Sequence, residues 1–196
     1  MEILLSVLVG VGLSAACGFR IFVPPLVMSI AALSGHLTLV PGFEWIGTYP
    51  ALLAFAVATI LEIAGYYIPW VDHLLDLMAS PAAVVAGIMV MASTVTGMSP
   101  LLRWSLAIIA GGGIAGTIQA ITGLTRMAST ATTAGFGNPV VATVEAGGSI
   151  ALSVMAIAIP IIATVTVVVI LVIVCWLGRF RKFGAKKGGQ GFSGCG

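Results

Sequence analysis

Long apolar runs, each closed by a proline, a glycine or a charge, set the rhythm of this chain. They cover Ile3–Phe19, Ala51–Ile68, Ala82–Val95, Leu101–Leu124, Val140–Ala158 and Ile161–Leu177. Most are far longer than the roughly ten alternating residues of a barrel strand. Continuous apolar segments of this kind satisfy their own backbone as helices, the form a bilayer demands. Ile21–Leu33 is apolar as well, but Pro24-Pro25 removes two backbone donors near its start. Residues 69–78 predict a short amphipathic helix in the interface plane. Val71, Leu74, Leu75 and Met78 share one face, and Asp72, His73 and Asp76 the other. Met127–Asn138 is small and polar, too poor in large apolar groups to cross.

Two of these runs echo each other. Leu4–Arg20 reads LLSVLVGVGLSAACGFR, and Leu106–Arg126 reads LAIIAGGGIAGTIQAITGLTR; both are glycine-rich and end on an arginine. A second echo follows each, ATILEIAG at 58–65 and ATVEAG at 142–147, so Arg20 and Glu62 correspond to Arg126 and Glu145. The expectation is an all-α integral membrane protein of about six transmembrane helices, in a first repeat (1–98) and a second (99–178). If each half crosses three times, the second is inverted, the plan of many secondary transporters. That arrangement puts Arg126 inside and Arg20, Glu44 and Arg103 outside. If Ile21–Leu33 also crosses, there are seven helices, the N-terminus is outside and Arg20 moves inside.

Composition agrees with the pattern: 60% of residues are hydrophobic and 7% charged, against about 25% charged in soluble domains. Arg179, Arg181, Lys182, Lys186 and Lys187 crowd the stretch after the last run. The positive-inside rule makes that tail (179–196) cytoplasmic. It is expected to be disordered, and its charges orient a span rather than bind nucleic acid. Three cysteines, Cys17, Cys175 and Cys195, form neither a disulfide framework nor a zinc spacing.

The chemistry lies in the charges that interrupt apolar sequence. A charge at mid-bilayer costs roughly 2.5–3.5 kcal/mol on insertion scales, so such groups face the protein interior or a wet cavity. Glu62 and Glu145 are therefore candidate coupling residues, since a carboxyl in a partly dehydrated site exchanges a proton near neutral pH. Arg20 and Arg126 are candidates for holding an anionic group of a substrate. The structural alternative pairs the same groups as Arg–Glu bridges that pin the halves together. Gly12, Gly18, Gly112, Gly116 and Gly123 are candidates for close helix packing, Gly112-x-x-x-Gly116 being the small-residue motif, or for a hinge. Gln119, Thr122 and Thr125 form a weaker polar path; threonines in such helices also bond their own backbone. Asp72, His73 and Asp76 beside water are more simply a solvated face than a metal site. No hydrolase, zinc-protease or nucleotide-loop motif occurs, so no enzyme, metal or cofactor is expected.

The stretches GLSAACGFRIFVPPLVMSIAALSG, ITGLTRMAST and GNPVVATVEAGGS resemble a family of small bacterial multi-pass inner-membrane proteins catalogued only as a domain of unknown function. The resemblance runs from Leu4 to Arg179 and implies a helical membrane protein, with no activity or site attached. The functional expectation therefore rests on the repeat and the buried charges. It is a small transporter or permease, dimeric in the membrane, for an anionic substrate. A membrane scaffold or assembly factor and a lipid-phosphate translocase are the alternatives.

Overall fold

A computed structural model describes residues 2–188, without the side chains of Pro69, Trp70, Asp72, His73, Asp76, Cys175 and 177–188. Among the described residues there is no strand. The helices are α1 (Glu2–Phe19), α2 (Val23–Leu33), α3 (Tyr49–Gly65), α4 (Pro69–Thr94), α5 (Pro100–Leu106), α6 (Gly113–Thr133), α7 (Asn138–Ala158) and α8 (Pro160–Gly188). A 3₁₀ turn, Glu44–Gly47, precedes α3, and a π-helical turn, Ala107–Gly112, joins α5 to α6 without a break. Four segments are long and apolar enough to cross a membrane: Glu2–Phe19, Leu77–Thr94, Pro100–Thr133 and Asn138–Ala158. Three shorter apolar helices, Val23–Leu33, Tyr49–Gly65 and Pro160–Val174, accompany them. Leu53, Ile60, Leu61, Ile109 and Val144 are all more than half exposed. Side chains this apolar are covered by acyl chains more readily than by water.

The chain divides into two compact units, 1–164 and 165–196. In the first, α1 packs against α4, α6 and α7. Small residues set these crossings. A Cβ on Gly18 would stand 2.5 Å from Ile118 Cβ, and one on Gly12 would stand 2.7 Å from Ala156 Cβ. Gly87 and Gly111 bring the α4 and π-turn backbones together, each carbonyl oxygen within 2.7 Å of the other's missing Cβ. Gly112 meets Ile88, and Gly116 meets Val84. Close packing thus accounts for Gly12, Gly18, Gly112 and Gly116. Gly123 has nothing within 4 Å, so packing inside the chain does not require it. The second unit continues the helix of α8 to Gly188. The basic residues of the expected tail therefore begin inside a helix, while 189–196 lie outside the described residues.

Direction follows from the same contacts. Along α1, Ser6, Gly10 and Ser14 meet Thr96, Met91 and Gly87 in turn, so α1 and α4 are antiparallel. Gly111 and Gly116 meet Met91 and Val84, so the helix carrying Arg126 is antiparallel to α4 as well. The two arginine-ended helices therefore run parallel to one another.

Three element boundaries also differ from the pattern. The amphipathic stretch is not a separate interfacial helix; it is the first part of α4, which runs on through Pro81. The polar stretch after Arg126 is helical to Thr133, its hydroxyls bonding back to carbonyls of the same helix, as Thr132 Oγ1 does to Ala128 at 2.9 Å. The helix stops where Ala134 turns left-handed, at φ 52°. Pro24 and Pro25 do not interrupt a helix but open one, in the first turn of α2, where a missing N–H costs little.

Candidate functional site

The break between α1 and α2 builds one side of the site. Proline cannot donate to a preceding turn, so the helix of α1 ends at Phe19 before α2 starts at Val23. That leaves the N–H groups of Ile21 and Phe22 outside both helical ladders. Glu62 on α3 takes both: Oε1 accepts from Ile21 at 2.8 Å and Oε2 from Phe22 at 3.1 Å. Backbone donors shielded even in part from water need a partner, and a carboxylate at the start of a helix is favoured by its dipole as well.

Arg20 sits at the same break and is 1% exposed. It does not reach out to headgroups. Its Nη2 donates to the Ala142 carbonyl of α7 at 2.8 Å and lies 3.6 Å from Glu145 Oε2. Its Nε and Nη1 are buried without any hydrogen-bond partner. Arg126 on α6 is held differently. Its Nε donates to Glu145 Oε1 at 3.2 Å and its Nη2 to Glu145 Oε2, a side-on pair of two bonds.

Tyr66 completes the cluster. It follows Glu62 by one turn, is buried, and lies beneath both guanidinium groups, with Arg20 Cζ 4.0 Å and Arg126 Cζ 3.9 Å from the ring centroid. The electron-rich ring face attracts each cation by about 2 kcal/mol when desolvated. Tyr67 ties the end of α3 to α7 through Thr143, Oη to Oγ1 at 2.8 Å.

All four charges read from the sequence therefore converge, although the pairing differs between the echoes. In the second half Glu145 binds the arginine of its own half and approaches the other. In the first, Glu62 serves the backbone. The difference comes from the helix break: α6 continues past Arg126, frees no N–H groups, and leaves Glu145 to the side chains. Tyr66 was missed in the sequence, where a tyrosine at a helix end looks like an interfacial anchor.

The polar path is less coherent. Gln119 and Thr122 are buried, but Thr122 Oγ1 donates to the Gln119 carbonyl and Thr125 Oγ1 to that of Ile121. These threonines satisfy themselves on their own helix. The side chains of Asp72, His73 and Asp76 lie outside the described residues; among those described, no cluster of metal-ligating groups occurs.

A half-open apolar pocket of about 170 Å³ adjoins the break, lined by Ile21, Phe22, Pro25 and Met28 on one side and Met89 and Val90 of α4 on another.

The family described as "Domain of unknown function (DUF4126)" matches residues 7–179. No curated protein and no solved structure matches the chain.

Proposed function

The chain belongs to this family, and we propose that it acts as a small membrane permease whose anion-binding centre is Arg20, Arg126, Glu145 and Tyr66. The single observation that carries the proposal is Arg20: a guanidinium 1% exposed, with Nε and Nη1 unpartnered. Leaving a buried charged donor unsatisfied costs more than the roughly 1–3 kcal/mol of a neutral one. A bound oxyanion relieves that cost through two charge-assisted bonds. Glu145 and Tyr66 hold both cations close; Glu145 balances one of them and Glu62, whose charge acts on Arg20, the other, so an entering anion takes Glu62's place opposite Arg20.

The number of crossings belongs to this reading. The loop after α2 returns to the start of α1: Val40 N donates to the Ser93 carbonyl at 3.0 Å, near where Thr96 N reaches Ser6. We take α2 with its loop as a crossing, which makes seven. With a cytoplasmic C-terminus, Arg20 and Arg126 then both lie toward the inner side, in agreement with the positive-inside rule.

The test is flux into proteoliposomes of radiolabelled chloride, phosphate and pyruvate. At least one of them should enter faster than into protein-free vesicles, and Arg20→Gln should abolish the difference. A second reading, a membrane scaffold, is favoured by the way Glu62 and Glu145 are satisfied inside the chain. No flux of any anion by the folded wild-type protein selects it. Scrambling of a fluorescent anionic phospholipid without flux of the small anions would select a lipid translocase, its acyl chain in the pocket by Phe22.

A further inference from the structure

Glu62 occupies a place made for an anion. Two N–H groups converge on it from the start of α2, an 11-residue helix whose N-terminal end carries partial positive charge. The residue just before those donors is Arg20, whose buried Nε and Nη1 lack partners. Tyr66, on the same face of α3 as Glu62, lies against that guanidinium at 4.0 Å. Two backbone donors and a buried guanidinium are a complete recognition set for a planar oxyanion. The present occupant is tethered through α3, and it leaves two of the guanidinium donors unused.

The geometry points to Glu62 as a built-in occupant of a carboxylate-sized substrate site, displaced when a small free carboxylate enters. The inference rests on reading the cluster as an anion centre, and it names the substrate class. A carboxylate fits better than phosphate because one planar pair of oxygens spans both N–H groups, as Glu62 itself does. An entering carboxylate takes over those bonds and, free of the tether through α3, can shift toward Arg20, whose Nε and Nη1 the Glu62 side chain leaves unbonded. The displaced side chain has somewhere to go. Thr59 lies one turn back on α3, buried, with an Oγ1 that has no partner; its hydroxyl donates to the swung-out Glu62.

Chemical rescue tests this without relying on transport. Glu62→Ala vacates the site, and thermal unfolding of the full chain in detergent is followed against sodium acetate, with sodium chloride at equal ionic strength as the control. Acetate should raise the Tm of Glu62→Ala saturably, and at much lower concentration than it raises that of the wild type, where it must first displace the tethered Glu62. The rescue should be lost in Arg20→Gln/Glu62→Ala. Equal responses of variant and wild type, or of acetate and chloride, overturn the proposal. If Glu62→Ala does not fold, Glu62→Gln is followed in the same way, since an uncharged occupant competes less: acetate should raise its Tm at lower concentration than that of the wild type, and equal responses overturn the proposal. Rescue by acetate in a protein that moves no anion would sink the permease reading and leave the site standing.

Discussion

Arg20 and Arg126, from the two halves of the sequence, lie over one tyrosine ring and reach toward one carboxylate oxygen, Glu145 Oε2. Two like charges are brought together in the protein interior, where their repulsion is poorly screened. Only one of them is fully paired. That asymmetry separates a residue that holds the fold from one left able to bind, and it can be measured.

Arg126→Gln should destabilise the protein by about 3–5 kcal/mol, because it strands the buried Glu145 carboxylate. Arg20→Gln removes a group with two unsatisfied donors and should cost clearly less, while abolishing anion flux. Thermal unfolding of both variants in the same detergent checks the order. Equal losses would mean that Arg20 is as structural as its partner.

Tyr66→Leu should destabilise by about 2–4 kcal/mol, since two desolvated cation–π contacts go at once. Tyr66→Phe keeps the ring and should lose less. In a double-mutant cycle with Arg20→Gln the ring and the cation should couple; strict additivity would show that the 4.0 Å approach carries no energy.

The glycines should fall into two groups. Gly87→Ala and Gly111→Ala drive a methyl into a facing carbonyl and should cost about 1–3 kcal/mol or more, because neither backbone can retreat freely. Gly113→Ala and Gly123→Ala meet nothing and should gain up to about 1 kcal/mol from lower backbone entropy in the unfolded chain. A loss at Gly123 would instead reveal a second copy of the chain packed on that face.

Cys17 is fully buried beside the arginine-bearing end of α1. In a Cys175→Ser/Cys195→Ser background, maleimide should leave it unlabelled until the protein is unfolded in detergent. Labelling that appears only while anion flows would place the water path along α1; rapid labelling at rest would contradict the closed packing around Gly18.

In the sequence the glutamates lie deeper in their apolar runs than the arginines do. Both carboxylates are satisfied internally, and it is Arg20, at a helix end where a long side chain is free to snorkel, that is buried and incompletely bonded. Its exposure was not legible, because it depends on α7 covering the break and offering the Ala142 carbonyl.

Helical class, membrane character and the four buried charges were open to the sequence alone, because each follows from local facts: run length, the scarcity of charge, and the cost of a charge among apolar neighbours. The two echoes were legible too, though not what they mean in space. Whether the arginine helices run together or opposed, which glutamate meets which arginine, and that a tyrosine receives both cations were decided by tertiary structure. The reason is physical. Direction and pairing depend on where bare backbones can touch, at Gly87 with Gly111 and Gly18 with Ile118, and on which N–H groups a proline break sets free. Those contacts join residues far apart in the chain, and no property of either segment alone contains them.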